Sequence, residues 1–110
     1  MSPTTTRSTP HPTGLRDRER CDTLVLAALA SADRDGYGVL RRLQEGVRGT
    51  PLPSVQQVFA SLHRLERNRL VRRAPGDPRR YRLTATGSRI LAARTAAADA
   101  YARGLHALQE

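Results

Sequence analysis

Apolar residues recur at helical spacing early in the chain, where Cys21, Leu24, Val25, Ala28 and Leu29 fall on one side of a helix expected over residues 15–31. Asp35 stands where an N-cap belongs, and Tyr37, Leu40 and Leu43 or Val47 give a short second helix one apolar stripe before Gly46 and Gly49 stop it. After the turn Thr50-Pro51-Leu52-Pro53, Ser54 can cap a third helix running to about Asn68. On that helix Val55, Val58, Leu62 and Leu65 share one side, with Phe59 on its flank, while Gln57, Ala60, Ser61 and Arg64 group opposite. A helix of this kind normally ends on a left-handed residue, so Arg69 or Asn68 must take a conformation that glycine adopts freely.

The period then changes. Residues 70–74 and 79–84 alternate roughly between apolar and polar, and Pro75-Gly76-Asp77-Pro78 between them is turn chemistry, which predicts a β-hairpin. Thr84 caps a long Ala-rich helix from Ala85 to about Leu108. Along it Leu91, Arg94, Ala98, Tyr101, Leu105 and Leu108 follow a heptad-like 3 and 4 spacing that Arg94 interrupts. Residues 1–14, rich in Thr, Ser and Pro, are expected to form a disordered basic tail. The order helix, helix, helix, basic hairpin, helix is that of a mainly α winged helix-turn-helix, with the domain over 15–84 and a dimerisation helix over 85–110.

Composition changes this picture in two ways. With 110 residues, 38% apolar and 4% aromatic, the chain has one domain's length and a thin core, which favours a partner subunit for the long last helix. Its longest apolar run, 24–30, is far short of a bilayer span, and the first 20 residues lack the hydrophobic core of a signal peptide, so a cytoplasmic protein without membrane contact is expected. The second change is charge. The net +9 is carried by arginine alone, and residues 54–84 hold eight of these (64, 67, 69, 72, 73, 79, 80 and 82) against Glu66 and Asp77, whereas 21–53 are neutral. A basic block beside a neutral one points to a polyanion. Gln and Arg on the exposed side of helix 3 suit adenine and guanine edges, and hairpin arginines suit phosphates or a minor groove.

Catalysis lacks a constellation. Asp33, Asp35 and Glu45 have no partner base, and the glycines form no phosphate loop. His11, His63 and His106 lie apart with no Cys-x-x-Cys, so neither metal nor cofactor is expected. The single cysteine, Cys21, reads as a core residue rather than an oxidant sensor, and Tyr37 as a packing residue.

Three blocks of the sequence carry a family likeness: Gly36-Tyr37, then Ser54 through Leu62-His63-Arg64-Leu65-Glu66, then Arg79-Arg80-Tyr81-Arg82-Leu83-Thr84-Ala85-Thr86-Gly87. Over roughly residues 24–91 the chain resembles the PadR family of bacterial transcriptional regulators, in particular its short members. It departs from them at Gln56 to Ala60, where members usually carry Gly-Thr, an aliphatic residue and Tyr-Pro, and at Arg69, where they usually carry Gly. The resemblance implies a homodimeric DNA-binding regulator, often a repressor. Ser54, Gln56, Gln57, Ser61, Arg64, Arg79 and Arg80 would meet double-stranded DNA, and Leu91, Ala98, Tyr101, Leu105 and Leu108 would form the dimer interface. A small-molecule effector would have to sit within the dimer or where helix 1 meets the last helix. The competing reading is an interaction adaptor that keeps the winged helix as a scaffold and binds an acidic protein.

Overall fold

A computed structural model describes residues 11–110, and side chains from residue 17 onward. Four helices and one hairpin follow in the expected order: α1 (His11–Leu29), α2 (Gly36–Gly46), α3 (Val55–Arg67), β1 (Val71–Ala74), β2 (Asp77–Leu83) and α4 (Ala85–Leu108). The tail expected over residues 1–14 lies outside the described residues as far as residue 10, and residues 11–14 belong to α1.

The core is made by one side of each element. Cys21, Val25, Leu26, Ala28 and Leu29 of α1 close against Val39 and Leu43 of α2, Val58, Leu62 and Leu65 of α3, and Val71 and Tyr81 of the hairpin. Each large aliphatic side chain fully withdrawn from water here contributes about 1.5–3 kcal/mol. Tyr37, expected on the apolar stripe of α2, is instead 62% exposed, and the buried positions of that helix are Gly36, Val39 and Leu43. The cause is Phe59. Its ring lies where a side chain on residue 36 would be, so only glycine fits there, and Tyr37 packs edge-on to the same ring at 5.3 Å.

Local chemistry fixes the element ends. Asp35 accepts from the Gly38 amide at 2.7 Å and starts α2. Ser54 and Gln57 form a reciprocal capping box on α3, the Ser54 hydroxyl accepting from the Gln57 amide at 3.1 Å and Gln57 Oε1 accepting from the Ser54 amide at 2.7 Å. Asn68 caps the other end, and Arg69 takes the left-handed conformation with φ 63°. Thr84 ties the end of the hairpin to the start of α4: its amide donates to the Leu70 carbonyl, its hydroxyl donates to the Arg69 carbonyl at 2.8 Å, and the same hydroxyl accepts from the Gly87 amide. Gly87 lies so close to the Leu70 carbonyl that a Cβ would overlap it.

The hairpin is antiparallel, with Val71 facing Leu83 and Arg73 facing Tyr81. The second strand begins at Asp77, two residues earlier than the turn chemistry suggested, because Pro75-Gly76 alone makes the reversal, with Gly76 at φ 83°. The register then jumps, since Ala74 pairs with Asp77 while Arg73 pairs with Tyr81, and residues 78–80 bulge from the ladder. Pro78, which has no amide hydrogen to give, sits in that bulge. Tyr81 also exchanges two backbone bonds with Arg34, a one-residue third strand between α1 and α2. Two arginines brace the wing. Arg82 forks onto Asp33 at 2.8 and 3.1 Å, and Arg73 bonds Glu66 of α3 at 3.1 Å while its guanidinium lies 4.6 Å from the Tyr81 ring centroid. The Arg82 hydrogen bonds hold the Asp33 carboxyl below the usual carboxylate range.

Two stability measurements check this account. Arg69→Gly relieves a left-handed arginine and is expected to raise stability by up to ~1 kcal/mol in chemical denaturation; a loss would mean that the side chain is needed there. Because the Asp33 pKa is lowered on folding, the stabilisation it provides is complete above its unfolded value and lost as pH falls through the lower folded one. Asp33→Asn is therefore expected to be less stable than the wild type near pH 7, with the difference vanishing in acid. A difference that persists unchanged in acid would assign the effect to something other than the ion pair.

Candidate nucleic-acid interface

α3 lies in a trough. On one side α1 reaches it through Asp22, whose carboxylate accepts from Ser61 Oγ at 2.5 Å and from Arg64 at 2.6 Å. On the other, α2 and the wing meet it through Phe59 and Glu66. The ridge left in water is Gln56, Ala60, His63 and Arg67, with Gln57 at its edge.

This ridge is not the face expected from periodicity. At ~100° per residue it is rotated by about 80° from the group Gln57, Ala60, Ser61 and Arg64. Ser61 is fully buried, a correction to its placement on the outer side, because its hydroxyl is short enough to enter the core once Asp22 satisfies it. Arg64 is partly shielded and paired. Ser54 and Gln56 are exposed, although the Ser54 hydroxyl and the Gln57 amide oxygen are engaged in the capping box. His63 and Arg67, which the pattern left out, now stand on the ridge. The Ser54-x-x-Gln57 order signals the cap in the sequence itself, whereas the inward turn of Ser61 depends on a carboxylate 39 residues away.

The wing adds further exposed cations. With Arg73 and Arg82 used as braces, Arg72, Arg79 and Arg80 remain exposed, and the bulge puts the latter two beside the tip. Asp77 is shared between Arg79 at 3.8 Å and Arg80 at 3.4 Å, and the Arg79 side chain is 87% exposed. Such pairs are worth little in water. Among the described residues Arg67 and Arg72 form no ion pair.

The remaining expected sites are placed as follows. Cys21 is buried, and burial first, with the neighbouring Asp22 second, pushes its thiol up, away from the reactive thiolate. Leu91 packs partly onto its own domain, and Arg94 donates to Thr23 of α1 at 2.9 Å, which accounts for a charged residue in the seam. Beyond it Ala98, Tyr101, Leu105 and Leu108 are exposed on the same helix face, Tyr101 by 71% and Leu108 by 85%. An open cleft of about 320 Å³ lies between α1 and α4, lined by Glu19, Arg20, Thr23, Arg94, Ala97 and Ala98. Among the described residues no three His, Cys, Asp or Glu side chains gather as a metal site, and no helix is long and apolar enough to cross a membrane.

The fold is similar to that of two solved proteins. A transcriptional regulator from Clostridium thermocellum is 20% identical with a TM-score of 0.68, the match covering 81% of this chain and 89% of that one. A PadR family transcription regulator from a hypervirulent Clostridium difficile is 18% identical with a TM-score of 0.67, covering 82% and 98%. No curated protein matches the sequence. The family description "Transcriptional regulator PadR-like family" matches residues 25–93, from the middle of α1 through the wing into α4. With more than half of its length so matched, and with the winged helix built as described, the chain belongs to the PadR-like family of transcriptional regulators.

Proposed function

We propose that the chain is a sequence-specific DNA-binding regulator that acts as a homodimer, reading base edges with α3 and holding phosphates with the wing. The observation that carries this is the exposure of Gln56, His63 and Arg67 on α3 together with Arg72, Arg79 and Arg80 on a wing that the Arg73–Glu66 pair ties to that helix. Amide, imidazole and guanidinium groups on a convex helix can enter a major groove and form directional bonds to base edges. Arginines on a projecting hairpin meet the backbone or the minor groove beside it.

The dimer reading rests on α4. Its first turns use one face against α1 and β2, and the same face runs on past the domain bearing Tyr101, Leu105 and Leu108. A helix of 24 residues is ~36 Å long, and a second copy offers the same apolar strip for it to pack against.

The roles separate in binding measurements. Selection from random duplexes with the purified chain is expected to return a recurrent, palindromic motif. Gln56→Ala or Arg67→Ala is expected to cost about 1–3 kcal/mol on that motif and relax selectivity at single positions. Replacing Arg79 and Arg80 together is expected to weaken all duplexes alike and reduce the log-log salt slope by roughly 2 for each protomer in contact. If the wing variants abolish discrimination while the α3 variants weaken all duplexes equally, the wing is the reader. If no motif is returned and the chain binds an acidic protein instead, the adaptor reading replaces this one.

Truncation after Arg94 removes Ala98, Tyr101, Leu105 and Leu108. Light scattering is expected to report a dimer for the full chain and a monomer for the truncated one. A truncated chain that remains dimeric would place the interface elsewhere.

A further inference from the structure

The wing and the ridge leave one buried polar cluster unused. It lies on the opposite flank of α3, where α1 crosses it. Asp22 accepts there from three groups of α3: Ser61 Oγ at 2.5 Å and Arg64 at 2.6 and 3.4 Å. Ser61 is fully buried, and the Asp22 and Arg64 side chains are only 17% and 27% exposed. The guanidinium is thus engaged through two nitrogens on both carboxylate oxygens, the bidentate geometry in which arginine pairs best.

We infer that Asp22 is a specificity-determining positioning residue: it withdraws Arg64 and Ser61 from DNA, so that base reading falls to Gln56, His63 and Arg67. The inference rests on α3 being the DNA-facing helix and deepens that reading. Arg64 has the chemistry of a guanine reader and stands beside Gln57 at the edge of the ridge. To reach a base it would have to give up both bonds to Asp22 and leave that carboxylate, short of its cationic partner, in a largely dry contact. Breaking a shielded pair from one side is costly because the remaining charge stays uncompensated. DNA approach adds to that cost, since an unpaired carboxylate would then face phosphates. The pair therefore stays closed in the complex, and it neutralises one cation at the edge of the interface. Because Ser61 and Arg64 are one turn apart, the same carboxylate also fixes the rotation of α3 about its axis and decides which side chains the ridge presents.

The test uses the full-length chain, the motif duplex returned by selection with the wild type, and a random-sequence duplex. Arg64→Gln is expected to leave the discrimination between the two duplexes unchanged, while the lone Asp22 carboxylate weakens binding to both alike. Asp22→Asn is expected to free Arg64, steepening the slope on random DNA by about 0.9 for each protomer in contact and lowering discrimination. Asp22→Asn combined with Arg64→Gln removes both charges of the pair and is expected to keep the wild-type slope, which separates release of Arg64 from a mere loss of negative charge. The Arg64 Nε–H resonance provides a readout free of affinity: in the wild type it is expected to keep its position when the motif duplex is added, and to move in Asp22→Asn.

An Arg64→Gln chain with one newly degenerate position in its reselected motif would overturn the inference. So would a wild-type Nε–H signal that moves strongly on binding, or an Asp22→Asn chain whose slope is unchanged. The Arg64→Gln arm decides the matter even where Asp22→Asn fails to fold. Failure of the underlying DNA reading is seen separately, as a wild-type chain that selects no duplex.

Discussion

The carboxylate of Asp22 fixes what the molecule can present. α3 touches α1, α2 and the wing, and the apolar burial of Val58, Leu62 and Leu65 that holds it there is non-directional. Hydrogen bonds are less forgiving. Ser61 and Arg64 donate to one carboxylate from successive turns, and a rotation large enough to bring Arg64 outward would strip the buried Ser61 hydroxyl of its partner. An unsatisfied buried hydroxyl costs about 1–3 kcal/mol, a sizeable share of a small domain's net stability. Glu66 holds the helix from the other flank through Arg73, so α3 is gripped on both sides by ion pairs with the ridge between them.

Arginine therefore does two kinds of work, and the net charge does not separate them. Of the eight arginines in residues 54–84, Arg64, Arg73 and Arg82 face carboxylates of other elements, namely Asp22, Glu66 and Asp33. The two more exposed pairs, Arg73–Glu66 and Arg82–Asp33, are screened by water, so their value lies in direction rather than strength. Arg73 and Arg82 orient the wing relative to α3 and to the α1–α2 connection, and the one-residue pairing of Arg34 with Tyr81 adds a third attachment. The arginines that remain in solvent lie on the surface these braces have aimed.

The element order was legible because caps and turns are local chemistry. Asp35, Ser54, Thr84 and Pro75-Gly76 each act within a few residues, and so does the strained Arg69 at the end of α3. What was not legible depended on pairs distant in sequence. Periodicity places Ser61 on the outer side with Gln57, Ala60 and Arg64, and Tyr37 on the apolar stripe with Leu40 and Leu43. Both assignments reversed for the same reason, that a neighbour had already taken the space or supplied the bond: Phe59 fills the place over Gly36, and Asp22 supplies an acceptor inside the core. Once Ser61 turns inward the whole ridge follows, which is how His63 and Arg67 come to stand where Ser61 and Arg64 were expected. The strand boundary shifted on a subtler ground, the bulge at residues 78–80 letting β2 start at Asp77 although Pro78 cannot donate to the ladder.

α4 connects the proposed pairing of two chains to the surface proposed to meet DNA. It starts at Thr84, directly after β2, and its direction is set where Gly87 closes on the Leu70 carbonyl, a contact with no room for a side chain. The helix then lies on α1 through Ile90, Leu91 and Arg94 before leaving the domain. A partner bound to Tyr101, Leu105 and Leu108 would thus act on a rigid arm rooted between the end of α3 and the end of the wing. Gly104 lies within that apolar stretch with open space beside it, so the backbone of another helix could approach there more closely than at any alanine. In a symmetric pair the separation of the two α3 ridges would then follow from the angle of α4 at Leu70, so that a short-range steric constraint would set a long-range distance along the proposed duplex.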